Sequence, residues 1–176
     1  MNLLKILSGT VYPSQLIVLY HAVAPPNVYP ILDSAAHNVK PEVFESQLDW
    51  LGRFYDFAPL GEVTSAIHSG SRERLVAITF DDGYRCIDEY ARPILLERQI
   101  PFQMFVTSSL LKRQGFWRDR IRSILLAGQE AEFLEYLRDE GISAPLDIGS
   151  LYRWSKSVAA GNSQQIAEAV AKFGED

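Results

Sequence analysis

The sequence predicts an α/β fold, in which part of a parallel, barrel-like sheet is followed by a helical lobe. Three observations carry that expectation. Residues 75–83 read LVAITFDDG, a short apolar run rich in β-branched side chains that stops at two carboxylates and a glycine. That is the pattern of a buried strand delivering Asp81 and Asp82 to the end of a sheet. Strand-like and helix-like stretches alternate from residue 16 to residue 106, the βα order of a parallel sheet. From Gly115 onward strand signals vanish, and apolar residues recur at helical spacing.

Taken in order, residues 16–21 read as a first buried strand. A loop with Pro25, Pro26 and Pro30 follows and is expected to be irregular, because proline fixes φ and removes a donor. A helix is expected over 41–55, with Pro41 in its first turn and Val43, Phe44, Gln47, Leu48 and Leu51 on one face. A second helix over 60–68 stops at Ser69 and Gly70. Strand 75–80, helix 84–98 and strand 102–106 complete the βα part. The helical part is marked by Trp117, Ile121, Ile124 and Leu125, then Phe133, Leu134 and Leu137, then Ile148, Leu151, Trp154 and Val158, then Ile166, Val170 and Phe173. Trp117 and Trp154 read first as helix packing, with stacking platforms beside a sugar groove as the alternative. The expected division is therefore 1–114 and 115–176.

At 176 residues with 47% apolar and 11% aromatic content, the chain can bury a sizeable core. A net charge of −5 gives no basic footprint for nucleic acid or anionic lipid. The single cysteine, Cys86, excludes an internal disulfide and a cysteine zinc cluster, and its helical position makes core packing its expected job. Ser8, Gly9, Thr10 and Pro13 interrupt the short apolar leader before a signal-peptide core is complete, and no run reaches 18 apolar residues. A cytoplasmic protein without stable membrane insertion is the expectation.

Asp81 and Asp82 are the chemical centre of the sequence. Side by side, two anions repel, and burying either without a partner costs several kcal/mol, about what a metal ion or a shared proton offsets. Taken alone, two acids and a glycine also read as an ordinary turn that caps the next helix. His21 ends the first strand on the same rim as the acids, where contact with substrate and a hydrogen-bonded structural role are equally open. Tyr84, at the start of the following helix, is a second candidate substrate contact. His37 and His68 read as ordinary surface residues.

The stretch Thr79, Phe80, Asp81, Asp82, Gly83 resembles the first motif of the polysaccharide deacetylase (NodB-homology) family. Other segments are similar to the same family in the same order. LIVLYHAV (16–23), with Tyr20 and His21, looks like the first strand of a bacterial exopolysaccharide branch. VKPEVFESQLDWLGRFYDFAPLGEV (39–63) looks like that branch's first helix and the turn into its second. Residues 84–105, with Pro93, Ile100 and Pro101, carry the next helix and strand, and Phe116, Trp117 and Asp119 resemble the start of a helical insertion. The resemblance covers roughly residues 16–120, and only the acid pair is specific to the chemistry.

That resemblance implies a partial (β/α) barrel with a helical insertion or lobe at the carboxyl end, and a hydrolase that removes N-acetyl or O-acetyl groups from a polysaccharide or amino sugar. It implies Asp81 as general base and Asp82 as ligand of a divalent metal, zinc first, with cobalt, nickel and manganese as alternatives. Such a metal lowers the pKa of bound water from 15.7 toward about 7 and polarises the carbonyl. The family's two later metal-binding histidines, in an HSxxH-type motif, have no counterpart: the three histidines are His21, His37 and His68, and none are spaced i, i+4. The expectation is the amino-terminal part of a longer enzyme, binding metal weakly and inactive as given, with an open sheet edge that promotes self-association. Two other classes stay open. One is a non-catalytic carbohydrate-binding or scaffolding relative; the other is a magnesium-dependent phosphoryl-transfer domain, against which stands the lack of an i+2 acid pair or a Gly-rich phosphate loop.

Overall fold

The computed structural model describes residues 13–34, 37–107, 116–144, 154 and 163–173. The leader and the expected helical positions Ile148, Leu151 and Val158 lie outside the described residues. The chain divides into two compact units, one ending at Val106 and the other beginning at Thr107. The boundary expected at 114/115 falls at the edge of a stretch, 108–115, that is outside the described residues.

The first unit is built on β5 (Leu75–Phe80), whose last five residues are all buried. Its β-branched, apolar sequence suits a strand covered on both faces. β1 (Gln15–Tyr20) lies parallel to it over its full length, with Gln15 opposite Leu75 and Tyr20 opposite Phe80. The opposite edge of β5 is shared. β4 (Asp56–Phe57) pairs with its start and β6 (Phe102–Met104) with its end, both parallel. The result is a four-stranded parallel sheet that does not close among the described strands.

One sheet face, with Tyr20, Val76, Ile78 and Phe80, carries the main core. It packs against Phe44, Leu48 and Leu51 of α2 (Pro41–Leu51) and against Ile87, Ala91 and Leu95 of the helix after β5. The other face meets α3 (Leu60–Ser69), where Ala77, Ala58 and Val63 form a smaller cluster. α3 ends where the sequence predicts, with Gly70 in the left-handed region at φ 67°.

Several expectations are corrected. The first strand is 15–20 rather than 16–21, so His21 stands just outside it. The proline loop is not wholly irregular. Pro30 opens a short helix, α1 (Pro30–Ser34), because an N1 residue has no helical partner for its N–H to lose. The loop is also closed by a parallel pair, β2 (Ala22–Val23) and β3 (Asn38–Val39). α2 stops at Leu51 instead of residue 55, and the chain turns into β4, whose two residues are too few to leave a period in the sequence. Val43 is 45% exposed, on the rim of the helix face rather than in it. Helix 84–98 resolves into a π turn (Ile87–Ala91) followed by α4 (Arg92–Glu97). Pro93 is the cause: its ring clashes with the carbonyl four residues back, and the ladder widens so that Arg92 donates to Ile87 O.

In the second unit, α5 (Trp117–Leu126), α6 (Glu130–Asp139) and α7 (Ser163–Lys172) enclose Ile121, Phe133, Leu137, Ile166 and Val170. Trp117 and Trp154 both pack against this core, in keeping with helix packing. Arg120 donates to the carbonyls of Val170 (2.8 Å) and Phe173 (2.9 Å), satisfying the carboxyl end of α7 with a cation. Arg122 is buried and bonds to Asp119 one turn earlier. Among the described residues no helix is long and apolar enough to cross a membrane.

The placement of α2 is testable by a matched pair. Phe44→Ala empties a fully buried site and should lower stability by about 3–5 kcal/mol, whereas Val43→Ala should cost less than about 0.5 kcal/mol. Urea midpoints measure both, and similar losses would mean that α2 is rotated about its axis.

Candidate acid-pair site

The site is built by the way β5 ends. Thr79, buried in the strand, donates its hydroxyl to Val18 O at 3.0 Å and so locks β1 and β5 in register. The ladder then runs one residue past the strand, with the Asp81 N–H donating to Tyr20 O at 3.0 Å. Immediately afterwards the backbone reverses. Asp82 has φ 73° and Gly83 φ 80°, and Gly83 N–H reaches back to Asp81 O at 2.9 Å. A bond spanning two residues about a positive-φ centre is the rare, strained form of γ-turn. Strain of this kind, of order 1–3 kcal/mol per residue, is held by surrounding structure and collects at functional sites.

Gly83 is demanded twice. Its left-handed φ disfavours any side chain, and an added Cβ would stand 3.2 Å from both Val106 γ-carbons. Asp81, Asp82 and Tyr84 are all half-buried, and Tyr84 packs against the main core. The structure thus places both acids on a fixed corner at the carboxyl end of β5, where ligands bind in parallel sheets.

His21 follows β1 at the same rim, half-buried. Its ring stacks on that of His37, with centroids 4.6 Å apart and planes at 28°. The expectation that His37 is an ordinary surface residue is therefore corrected. It is a partner of a candidate site residue, brought there by the β2–β3 pairing, which the sequence does not signal. His68 is exposed on α3 and bonds the Thr64 carbonyl of its own helix at 2.7 Å, remote in sequence from the acids.

Tyr20 anchors this end of β1. Its ring meets Phe44 edge-on at 4.9 Å, and its hydroxyl donates to Gln47 Oε1 at 2.8 Å. Burial pushes the phenol up to about 12. Tyr29 is also raised to about 12, chiefly by donating to Glu89 at 2.5 Å, but that contact is at the surface and solvent screens it. Cys86 is fully buried and burial raises its thiol, which favours core packing over reactivity.

Among the described residues, no group of three or more His, Cys, Asp or Glu side chains could hold a metal ion. The residues present do not fit a three-ligand zinc centre, and no chemical step is assigned to one here.

A comparison with protein families bears on these residues directly. Residues 68–142 match the polysaccharide deacetylase family model. The match runs from the end of α3 through the Asp81–Asp82 corner and into the helical unit, and it supports the family resemblance read from the sequence. No curated protein matches the chain. Among solved structures, the chain is similar to IcaB from Ammonifex degensii, with 28% identity, TM-score 0.44, and coverage of 52% of this chain and 37% of that one. It is similar to the de-N-acetylase from Aggregatibacter actinomycetemcomitans, with 21% identity, TM-score 0.44, and 56% and 39% coverage. It is also similar to the Streptococcus pyogenes deacetylase PplD, solved with acetate, with 26% identity, TM-score 0.43, and 51% and 41% coverage. The chain spans about two fifths of the length of these relatives.

Tyr20 gives a pH test. Its folded pKa lies above the unfolded value of about 10, so it contributes stability that is fully present below pH 10 and is lost as pH rises through 12. Alkaline denaturation should steepen between pH 10 and 12, by an amount on the order of 1–3 kcal/mol. Tyr20→Phe should flatten that limb and Tyr29→Phe should leave it nearly intact; the reverse ranking would place the titrating phenol elsewhere.

Proposed function

We propose that this chain carries the acid-pair part of a hydrolase that removes acetyl groups from an amino sugar or polysaccharide. The observation that supports it best is the Asp81–Asp82–Gly83 corner. It presents two carboxylates on strained backbone at the carboxyl end of a buried strand, inside the segment that matches the deacetylase family. In this reading Asp81 is the general base that takes a proton from the attacking water, and His21 and Tyr84 contact the sugar. Asp82 is this chain's one contribution to a divalent metal site, zinc in first place, whose remaining ligands are not among the described residues.

A second reading, a non-catalytic carbohydrate-binding relative, is favoured by one observation: the described residues make up no metal-ligand cluster. Acetate release separates the two. In the full-length gene product acting on N-acetylglucosamine oligomers, Asp81→Asn should lower turnover by about 10²–10⁴-fold and leave metal content unchanged, whereas Asp82→Asn should remove the metal. The 176-residue chain alone should release no acetate between pH 6 and 9, with zinc or cobalt added. Unchanged turnover in Asp81→Asn would sink the base assignment, and equal metal loss from both variants would mean the roles are exchanged or shared.

Self-association belongs to the same proposal. β1 is an edge among the described strands, its sequence QLIVLY has no charge and no proline, and Ile17 and Leu19 are 47% and 49% exposed. Edges of this kind recruit other strands. Light scattering should show association of the isolated chain, reduced by Ile17→Lys; a monomer at all concentrations would contradict it.

A further inference from the structure

The parallel register that sets Ala22 opposite Asn38 and Val23 opposite Val39 also brings together the residues one step earlier, His21 and His37. Their stacked rings follow from that register, as cross-strand neighbours on one face do. The lap that carries His37 is fastened at several points. Ala24 N–H donates to Val39 O at 3.1 Å, and Asn38 Nδ2 donates to Ala24 O at 3.1 Å and to Asp33 Oδ1 at 2.7 Å. The other Asp33 oxygen accepts from Asn27 N–H at 2.8 Å. Leu32 is buried in the main core, and Tyr29 bonds Glu89, which Arg85 pairs at 2.7 Å. His37 is therefore delivered to His21 by a braced element. His21, in turn, follows the residue whose carbonyl receives the Asp81 N–H, so the braced ring pair and the acid corner share one backbone junction.

We propose that His37 is a positioning residue, whose ring clamps the His21 imidazole at the rim of the acid-pair site. Stacking covers one face of His21 and fixes the ring plane. It leaves the ring edge, which carries both nitrogens, to hydrogen-bond a sugar hydroxyl or acetamide. A ring held in place before the ligand arrives spares the ordering cost that a mobile side chain pays on binding. The inference rests on the reading of the acid pair as a sugar-processing site, and the two fail in different experiments: that reading fails in the acetate assay of Asp81→Asn, this one in the spectra of His21.

The test is NMR of the 176-residue chain, following the His21 ring resonances in the native protein, His37→Ala and His37→Phe, with and without an N-acetylglucosamine tetramer. His37→Ala should move the His21 resonances toward unstacked positions and weaken sugar binding read at His21 by about three- to tenfold, the effect of one hydrogen bond. His37→Phe keeps a stacked ring and should restore both. Unmoved His21 resonances in His37→Ala would overturn the proposal. So would moved resonances with undiminished sugar binding, or a native His21 that does not respond to the sugar.

Discussion

The hydrogen bond from Asp81 N–H to Tyr20 O, one residue beyond the paired strands, is the constraint on which the rest of the first unit depends. It holds the exit of β5 against the exit of β1, and everything at the rim is placed by what the two chains do next. On one side β5 turns through two successive positive-φ residues, which aims the backbone away from the sheet and leaves the acids on the corner. On the other, β1 passes through His21 into β2 and pairs with β3, which closes the proline loop. The register beneath is secured by the Thr79 hydroxyl on Val18 and by the edge-on contact of Tyr20 with Phe44. A slip of one residue would exchange the two faces of β1 and send Tyr20 out of the core.

Much of this was legible in the sequence, for identifiable reasons. A strand buried on both faces leaves a continuous apolar run, so 75–80 could be read to the residue. α3 announced its end through Gly70, and α2 its start through Pro41. The family resemblance of Thr79 to Gly83 drew attention to the acid pair, and the family match spans it. What escaped has equally physical causes. β2, β3 and β4 are two residues each, shorter than one full alternation, and exist because partner strands supply their hydrogen bonds. The π turn is a response of the backbone to Pro93 rather than a preference of its own residues. His37 was passed over because its role depends on a pairing between segments separated by a loop, and no spacing rule reports that.

The helical unit shows a different economy. Its core is aromatic and aliphatic, and its polar elements act locally: Arg120 on the end of α7, Arg122 on Asp119 in the preceding turn. Buried charge paired within one helix is costly to break but adds little net stability when intact, so the fold of this unit rests on Phe133, Leu137, Ile121 and Val170. Trp117 and Trp154 are part of that packing, and nothing about them calls for a sugar.

The central claim is that Asp82 occupies a strained backbone position for the sake of its carboxylate rather than to stabilise the turn. Asp82→Gly measures this most directly, because glycine adopts a positive φ without steric cost. If the aspartate is there for chemistry, the variant should gain about 0.5–1 kcal/mol of stability in urea denaturation, as relief of strain requires, while the site loses its function. If Asp82→Gly instead destabilises the protein by a comparable amount, the carboxylate is a structural cap of the turn, and the account of the corner as a functional site is contradicted.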